Sequence, residues 1–433
     1  MTGERDRGGF QPRKRRMMRS LTQPGASGTT PRPGRWIPVP DIPVSPVLSW
    51  RALAGLGRGD APESLFDSGH TVVLTAGRMA IFQALKRGKL KTGDEVLLPA
   101  FHCPAMVDPV VALGCAPVFY RIAEDLSADI ADMARKCAPR TRAVIAVNYF
   151  GFPNRLADIR RFCDARGLLF IEDCAHSLYG NHDGRPLGSF GDMAVASLTK
   201  FLPVREGGVL RINKTSLAEE GFALRSQPLA QQLRQAYGAV ELAVDHGRLS
   251  VFRPALWLAD RSIGFVRGLH GGASRDGEAA TGSVNPASLK GGVAGEFDIA
   301  WADVAASLFT RFVRRLASRT PTAARRRHVF TRYLDAFAAG RSYRPLFRAL
   351  PDGVIPYMFP LIVDDLADKF ARLEDAAVPM LRFGQFPWPG IDDDFCPVSA
   401  RYARCLLQLP CHQGLSDGEV AEIIAKLLPI LRA

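Results

Sequence analysis

No stretch of the 433-residue sequence approaches the roughly 18 consecutive apolar residues of a membrane-crossing helix, so a spanning segment is not expected. No two of the eight cysteines form a C-x-x-C pair, which argues against a zinc ribbon, and no metal-ligand set is expected. Cys103, Cys115, Cys137, Cys163, Cys174, Cys396, Cys405 and Cys411 are widely spaced, and several lie in apolar stretches, as buried reduced thiols do. No apolar segment follows the basic N-terminal stretch, so that stretch does not read as a secretory signal. Together with reduced thiols this predicts the cytoplasm. No internal repeat is visible, and no DNA- or RNA-binding motif accompanies the positive charge, so nucleic acid is not an expected partner.

What is present is globular composition, with 47% hydrophobic and 23% charged residues. That excludes a wholly disordered chain, a collagen-like repeat and a coiled coil. The length suggests two domains, or one large domain with a smaller appendage. The formal net charge is +13. Residues 1–35 hold nine basic residues against Glu4 and Asp6, with little apolar periodicity, and read as a disordered basic tail. A solvated extension or a misassigned start is the plain reading of that tail, and a basic arm touching anionic lipid or nucleic acid is the alternative. A second cluster, Arg311, Arg314, Arg315, Arg319, Arg325, Arg326, Arg327 and Arg332, has no acid within it. Interleaved Phe312, Leu316, Val329, Phe330, Tyr333 and Leu334 recur at helical spacing. Two amphipathic helices separated at Pro321, with arginines on the wet face, are the plain reading; an anionic-ligand or acidic-partner surface is the alternative.

From residue 70 the chain alternates short apolar, strand-like runs with helical periods. Strands are expected at Thr71–Leu74, Glu95–Leu98, Pro117–Tyr120, Ala143–Asn148, Leu168–Glu172, Ala194–Leu198 and Gly207–Ile212. Helices are expected at Arg78–Leu90, Ala105–Leu113, Ile130–Lys136 and Arg155–Arg166. Repeated β-α-β units with near-continuous apolar strands predict an α/β fold, a mainly parallel sheet sandwiched by helices. Such sheets bind ligands at the carboxyl ends of their strands. Residues 215–295 break the pattern, with helical stretches at Leu229–Leu242 and Ala255–Val266 and a Gly/Ser/Asp-rich loop or lid at 268–282. A strand-like segment at 356–363 and closing helices indicate a smaller α+β C-terminal domain. The expected division is a tail at 1–35, a large domain at 36–290 and a small domain at 291–433.

Four features at strand ends could carry chemistry. Asp173 follows a strand that reads as buried, where a carboxylate needs a cationic or protonated partner; an N-cap is the plainer alternative. Lys200 follows a short strand in a Gly-rich setting that could depress its pKa, making it a Schiff-base amine; a surface lysine is the plainer alternative. Gly77 and Arg78 lie at a strand-to-helix junction, where backbone N–H groups can receive a phosphate. Phe101 and His102 could stack on a planar ligand or be ordinary core. A phosphate seat, a buried carboxylate, a stacking side chain and a reactive lysine are together what pyridoxal 5'-phosphate requires.

At this point the residues show a specific resemblance. In order along the chain, AGRMAIFQAL (76–85), GDEVLLPAFHCPA (93–105), GCAPVFY (114–120), RTRAVIAVNYFGFP (140–153), IEDCAHSLYG (171–180) and LGSFGDMAVASLTKFLPVREGGVL (187–210) resemble motifs of the DegT/DnrJ/EryC1/StrS family of pyridoxal-phosphate sugar aminotransferases. FDIAWADVAASL (297–308) and LPCHQGLSDGEVAEII (409–424) resemble later family elements. The likeness is close over about 70–213 and looser over 297–430.

The resemblance implies a fold type I transferase with a seven-stranded-type sheet and a homodimer whose subunits both contribute to each site. It implies amino transfer from an amino acid, glutamate, to a keto sugar, a nucleotide-linked one, in polysaccharide or secondary-metabolite synthesis. By position, Lys200 would be the Schiff-base lysine, with Glu206 six residues on. Asp173 would pair with the pyridinium nitrogen, and His176 would lie near the ring hydroxyl. Gly77, Arg78 and Ser197 would hold the phosphate, although Ser197 stands three residues before the lysine where the family has five. Cys103 stands where the family's stacking aromatic falls, so His102 or Phe101 is assigned the ring face. Gly-Glu-Phe (295–297) replaces an Asn-Tyr-Arg element that helps form the family's sugar site. Sugar dehydration or deoxygenation, and a non-catalytic regulator retaining the fold, are the alternative functions.

Overall fold

A computed structural model describes residues 17–19, 36–50, 61–219, 221–258, 297–338 and 340–433. Its centre is a seven-stranded sheet built from β3 (His70–Leu74), β4 (Glu95–Pro99), β5 (Ala116–Tyr120), β6 (Thr141–Val147), β7 (Leu169–Asp173), β10 (Met193–Ser197) and β11 (Gly208–Ile212), in the order β3-β11-β10-β7-β6-β4-β5. Two short antiparallel pairs complete the numbering: β1 (Met17–Arg19) with β2 (Trp36–Pro38), and β8 (Asn181–His182) with β9 (Arg185–Pro186). β4, β6 and β7 are buried from end to end or nearly so, which is why they read as continuous apolar runs rather than alternating ones.

Crossover helices link the parallel strands: α1 (Gly77–Arg87), α2 (Pro104–Ala112), α3 (Ile130–Lys136) and α4 (Leu156–Asp164). α2 starts with Pro104 at its first position, where a missing N–H costs nothing. Asp129 caps α3 by accepting the Asp132 N–H at 2.9 Å. The last unit departs from the β-α-β rhythm. β10 runs parallel to β7, but β11 is antiparallel to both β10 and β3. The ten residues between β10 and β11 are too few for a crossover helix, so the chain returns as a wide hairpin. Lys200 sits in that return.

α5 (Thr215–Ala218) and α6 (Leu229–Asp245) follow. The C-terminal part holds α7 (Leu308–Leu316), α8 (Arg319–Phe337), α9 (Leu366–Asp375), α10 (Pro397–Cys405), α11 (Asp417–Arg432) and a three-stranded antiparallel sheet of β12 (Tyr343–Pro345), β13 (Met358–Val363) and β14 (Leu406–Pro410). Ser416 and Glu419 form a capping box that starts α11. One apolar core runs through both sheets, from Leu74 and Ile171 to Phe359 and Leu407.

Three expectations are corrected. The tail is not wholly without structure, because Met17–Arg19 pair with Trp36–Pro38. The break between α7 and α8 falls at Ala317 and Ser318, and Pro321 lies in the first turn of α8, where no helical partner is needed for its nitrogen. The arginines do not form a uniformly wet face: Arg326 is fully buried. The rest of the tail, the end of the expected Ala255–Val266 helix and the 268–282 loop lie outside the described residues.

Candidate active site

The functional side chains gather where strands of the large sheet end. Asp173 is the last residue of β7, and the parallel register sets it beside Val195 of β10. Five residues later Lys200 closes a short 3-10 turn, Leu198–Lys200. This turn leans on the double glycine of the hairpin, since the Leu198 N–H donates to Gly207 O at 2.8 Å.

Lys200 and Asp173 face one another electrostatically. Desolvation lowers the Lys200 pKa, and the charges of Cys103 and Asp173 work against that fall. Burial raises the Asp173 pKa, opposed by the Ala175 N–H that it accepts at 2.8 Å and by Lys200. Each group's charged form is therefore costly alone and sustained by the other. Asp173 is not an N-cap: it ends a strand, and its carboxylate closes an Asx-type turn onto Ala175.

His176 is buried, and its Nδ1 accepts the Phe150 N–H at 3.2 Å. Burial and the nearby Lys200 hold its pKa well below the ordinary histidine value. The ring is thus neutral, and with Nδ1 accepting, Nε2 carries the proton. His176 stacks on Tyr357 at 4.7 Å between centroids, and the Tyr357 ring centroid is 5.4 Å from Lys200 Nζ. Tyr357 was not singled out from sequence; an apolar strand-like run around it gave no mark of its nearness to the lysine.

The turn expected to seat a phosphate is tightly built. Gly77 opens α1 after Ala76, whose side chain cannot cap the helix. The Gly207 N–H donates to Thr75 O at 2.7 Å, drawing the hairpin against this turn. A Cβ on Gly208 would lie 2.0 Å from Ala76 O, so only glycine fits there. A Cβ on Gly77 would fall 3.8 Å from that of Ser197, which brings the helix start and Ser197 together. The Ser197 hydroxyl is within 3.1 Å of that of Thr199. Arg78 lies close enough to act on the Cys103 thiol.

The structure corrects the ring-face assignment. His102 is buried against Phe119, with ring centroids 4.8 Å apart, and its Nδ1 is 3.0 Å from Ala100 O. Phe101 packs into Tyr149, Phe383 and Tyr402. Both are committed to the core. From this loop it is Cys103 that lies beside Lys200 and Asp173; desolvation raises its thiol pKa, while Lys200 and Arg78 pull the other way.

Glu206 serves the scaffold. Its buried carboxylate accepts both contacts from Gln227 Nε2, at 3.0 and 2.8 Å, and the Ser307 N–H at 2.7 Å, where Ser307 caps α7. Glu172 does likewise within the sheet, accepting N–H groups of Gly188 and Phe190 and the Asn148 amide. Neither carboxylate is left for a ligand.

The donor set can do definite chemistry. A desolvated amine, a buried carboxylate beside it, a glycine-opened helix start and a neutral histidine suit an aldehyde cofactor that carries a phosphate and a basic ring nitrogen. Residues 63–259 match the profile of the DegT/DnrJ/EryC1/StrS aminotransferase family. The GDP-perosamine synthase of Vibrio cholerae is 32% identical over 161 residues, covering 36% of this chain and 44% of that one. A dTDP-4-dehydro-2,3,6-trideoxy-D-glucose 4-aminotransferase of Saccharopolyspora spinosa is 32% identical over 168 residues, covering 38% and 44%. The matched stretch thus spans less than half the length of these relatives. The crystal structure of the aminotransferase TlmJ from Streptoalloteichus hindustanus shares the fold, with a TM-score of 0.56 at 22% identity over 83% of this chain and 85% of that one.

Proposed function

We propose that the chain is a pyridoxal-phosphate-dependent sugar aminotransferase of the DegT/DnrJ/EryC1/StrS family, whose profile residues 63–259 match. It moves an amino group from an amino acid, glutamate, to a keto sugar, a nucleotide-linked one, in polysaccharide or secondary-metabolite synthesis. The observation that carries this reading is the desolvated Lys200 amine coupled to the buried Asp173 carboxylate at adjacent strand ends.

Pyridoxal phosphate fits these residues. Lys200 offers the amine for its aldehyde, Asp173 the carboxylate for its ring nitrogen, and the Gly77 turn with Ser197 the seat for its phosphate. When bound, the cofactor supplies an electron-withdrawing ring that stabilises negative charge on the donor's α-carbon. Asp173 holds a proton at the ring nitrogen, because its buried charge is then neutralised at close range. Lys200, released from the aldehyde, would take the proton from the donor's α-carbon and pass it to the former aldehyde carbon; desolvation lowers its pKa and so favours the free amine that this needs. His176 stacks on Tyr357, and Cys103 is the residue of the 99–105 loop that lies beside Lys200 and Asp173.

Lys200 stands where deoxygenating members of the family have histidine, which sets dehydration aside, and the intact Lys200–Asp173 pair argues against a non-catalytic regulator. The chain acts as a homodimer in the cytoplasm on this reading. Leu229 and Leu233 of α6 and Leu308 and Phe312 of α7 are large, exposed apolar side chains suited to a subunit contact. No helix among the described residues is long and apolar enough to cross a membrane. The proposed domains are 36–290 and 291–433.

Incubation with pyridoxal phosphate and then borohydride should place a reduced adduct on the Lys200 peptide by mass spectrometry. Adding glutamate first should change the visible absorbance and remove the adduct. An unlabelled Lys200 in folded protein overturns the reading.

A further inference from the structure

Arg326, on α8, is fully buried, and every acceptor that it meets is a neutral oxygen. Its Nη2 donates to Lys200 O at 3.0 Å. Its Nη1 faces Pro356 O and Tyr357 O, each at 3.1 Å, and Cys411 O at 3.3 Å. Its Nε donates to Gln413 Oε1 at 3.0 Å, and Gln413 Nε2 in turn donates to Phe201 O at 2.7 Å. The guanidinium lies 4.4 Å over the Phe201 ring. Two side chains of the C-terminal part thereby hold two consecutive carbonyls at and just after the lysine. The same guanidinium holds the carbonyl of Tyr357, whose ring is 5.4 Å from Lys200 Nζ.

We infer that Arg326 and Gln413 form a positioning clamp that sets Lys200 and Tyr357 relative to one another for proton transfer, an inference that rests on the reading of Lys200 as the cofactor-bearing lysine. A cation buried without a carboxylate is an expensive way to fill space, and an apolar side chain of that size would serve packing at lower cost. What the guanidinium supplies instead is a planar fork that fixes several carbonyls from separate segments at once. The Leu198–Lys200 turn ends at Lys200, so its terminal carbonyls lack further helical partners and take the clamp's donors. The clamp touches neither the amine nor the carboxylate and acts only through the main chain.

The test uses the full chain loaded with pyridoxal phosphate, in Arg326→Met, Gln413→Leu and the double variant. The absorbance change on glutamate addition reports the first half-reaction without needing the sugar. In Arg326→Met its rate should fall about a hundredfold, the scale of a misplacement of about 1 Å, with the half-saturating glutamate concentration moved less than about threefold. Borohydride labelling of the Lys200 peptide should slow in parallel. Gln413→Leu, which keeps the buried arginine and is the safer folder, should lose about tenfold, and the double variant no more than about threefold beyond Arg326→Met, as for residues acting as a unit. Folded variants with wild-type half-reaction rates and labelling overturn the clamp alone. A wild-type protein that takes no label at Lys200 overturns the lysine reading, and the clamp with it.

Discussion

Replacing Glu206 by leucine should cost the fold about 3 kcal/mol and leave the lysine chemistry in place. The carboxylate lies six residues beyond Lys200, which invites a catalytic role, yet its oxygens are spent on Gln227 Nε2, the Ser307 N–H and, at 3.4 Å, the Thr310 hydroxyl. In Glu206→Leu the Thr310 hydroxyl keeps Ser307 Oγ at 3.2 Å, and Gln227 Nε2 keeps Ala305 O at 3.1 Å. The Ser307 N–H and one N–H of Gln227 are left unpaired. At about 1–3 kcal/mol for each buried group, less about 1 kcal/mol for the added apolar burial, the loss centres near 3 kcal/mol. Glu206→Gln behaves differently. Its Oε1 can still accept from Ser307, and Gln227 Oε1, buried without a partner, can accept the new amide after a flip that gives up the Nε2 bond to Ala305 O. That variant should lose about 2 kcal/mol, one charge-assisted bond made neutral and one neutral bond given up. Urea unfolding of the two variants separates them, and borohydride labelling of Lys200 should persist in both. Equal losses, or loss of labelling in folded Glu206→Gln, would refute the scaffold account.

Asp173→Asn keeps the shape and removes the charge, so amino transfer should fall about a thousandfold while Lys200 still takes the hydride label; undiminished turnover would show that the carboxylate is not needed. Gly208→Ala puts a methyl 2.0 Å from Ala76 O and should cost about 3 kcal/mol in urea unfolding, together with weaker binding of pyridoxal phosphate; a wild-type midpoint would contradict the tight seat. Burial lowers the His102 pKa from 6.5 to about 4. Above pH 6.5 neither state binds this proton; as the pH falls from 6.5 to about 4 only the unfolded chain does, so roughly 3 kcal/mol of stability is lost across that window. His102→Phe should flatten the slope of unfolding free energy between pH 6.5 and 4.5, and an unchanged slope would count against a neutral buried ring.

Much of the sheet was legible because its central strands are covered on both faces and announce themselves as apolar runs. Direction was not legible, since a five-residue strand such as β11 has the same pattern whichever way it runs. Lys200 and Asp173 drew attention in the sequence because polar groups at the ends of apolar strands are anomalous, and the structure sets them close together. That Phe101 and His102 pack into the core was not legible, because burial along Pro99–Cys103 does not alternate simply and an aromatic residue there carries no mark of which cavity it fills. Arg326 did leave a signal. In a run of three arginines, spaced about 100° apart on a helix, it is the one that precedes Val329, Phe330 and Tyr333 by three, four and seven positions, on the apolar stripe. Tyr357 and Gln413 left none, because their roles arise only when distant segments meet.

The use of arginine from 311 to 332 has a structural reason that alters the meaning of the net charge. Arg325 sends Nε to Leu415 O and Nη1 to Asp417, and Arg327 sends Nη1 to Pro351 O and Val354 O. With Arg326 between them, three successive residues of α8 donate to the irregular segments at 351–357 and 411–417. Carbonyls in such segments have no ladder to satisfy them and must find donors elsewhere. A guanidinium offers five N–H groups in a fixed plane, whereas an ammonium offers three from a single atom, so arginine can span carbonyls that lie farther apart and hold them in a set geometry. Outside that strip, Arg319 pairs with Asp67, Arg332 lies 3.9 Å from Asp417, and Arg314 covers the Phe66 ring. The positive charge that the sequence presents as a surface for anions is therefore consumed largely as hydrogen-bonding capacity inside the C-terminal part. One end of that donor row reaches the main chain of Lys200, which joins the arginine-rich helix to the chemistry by position and not by field.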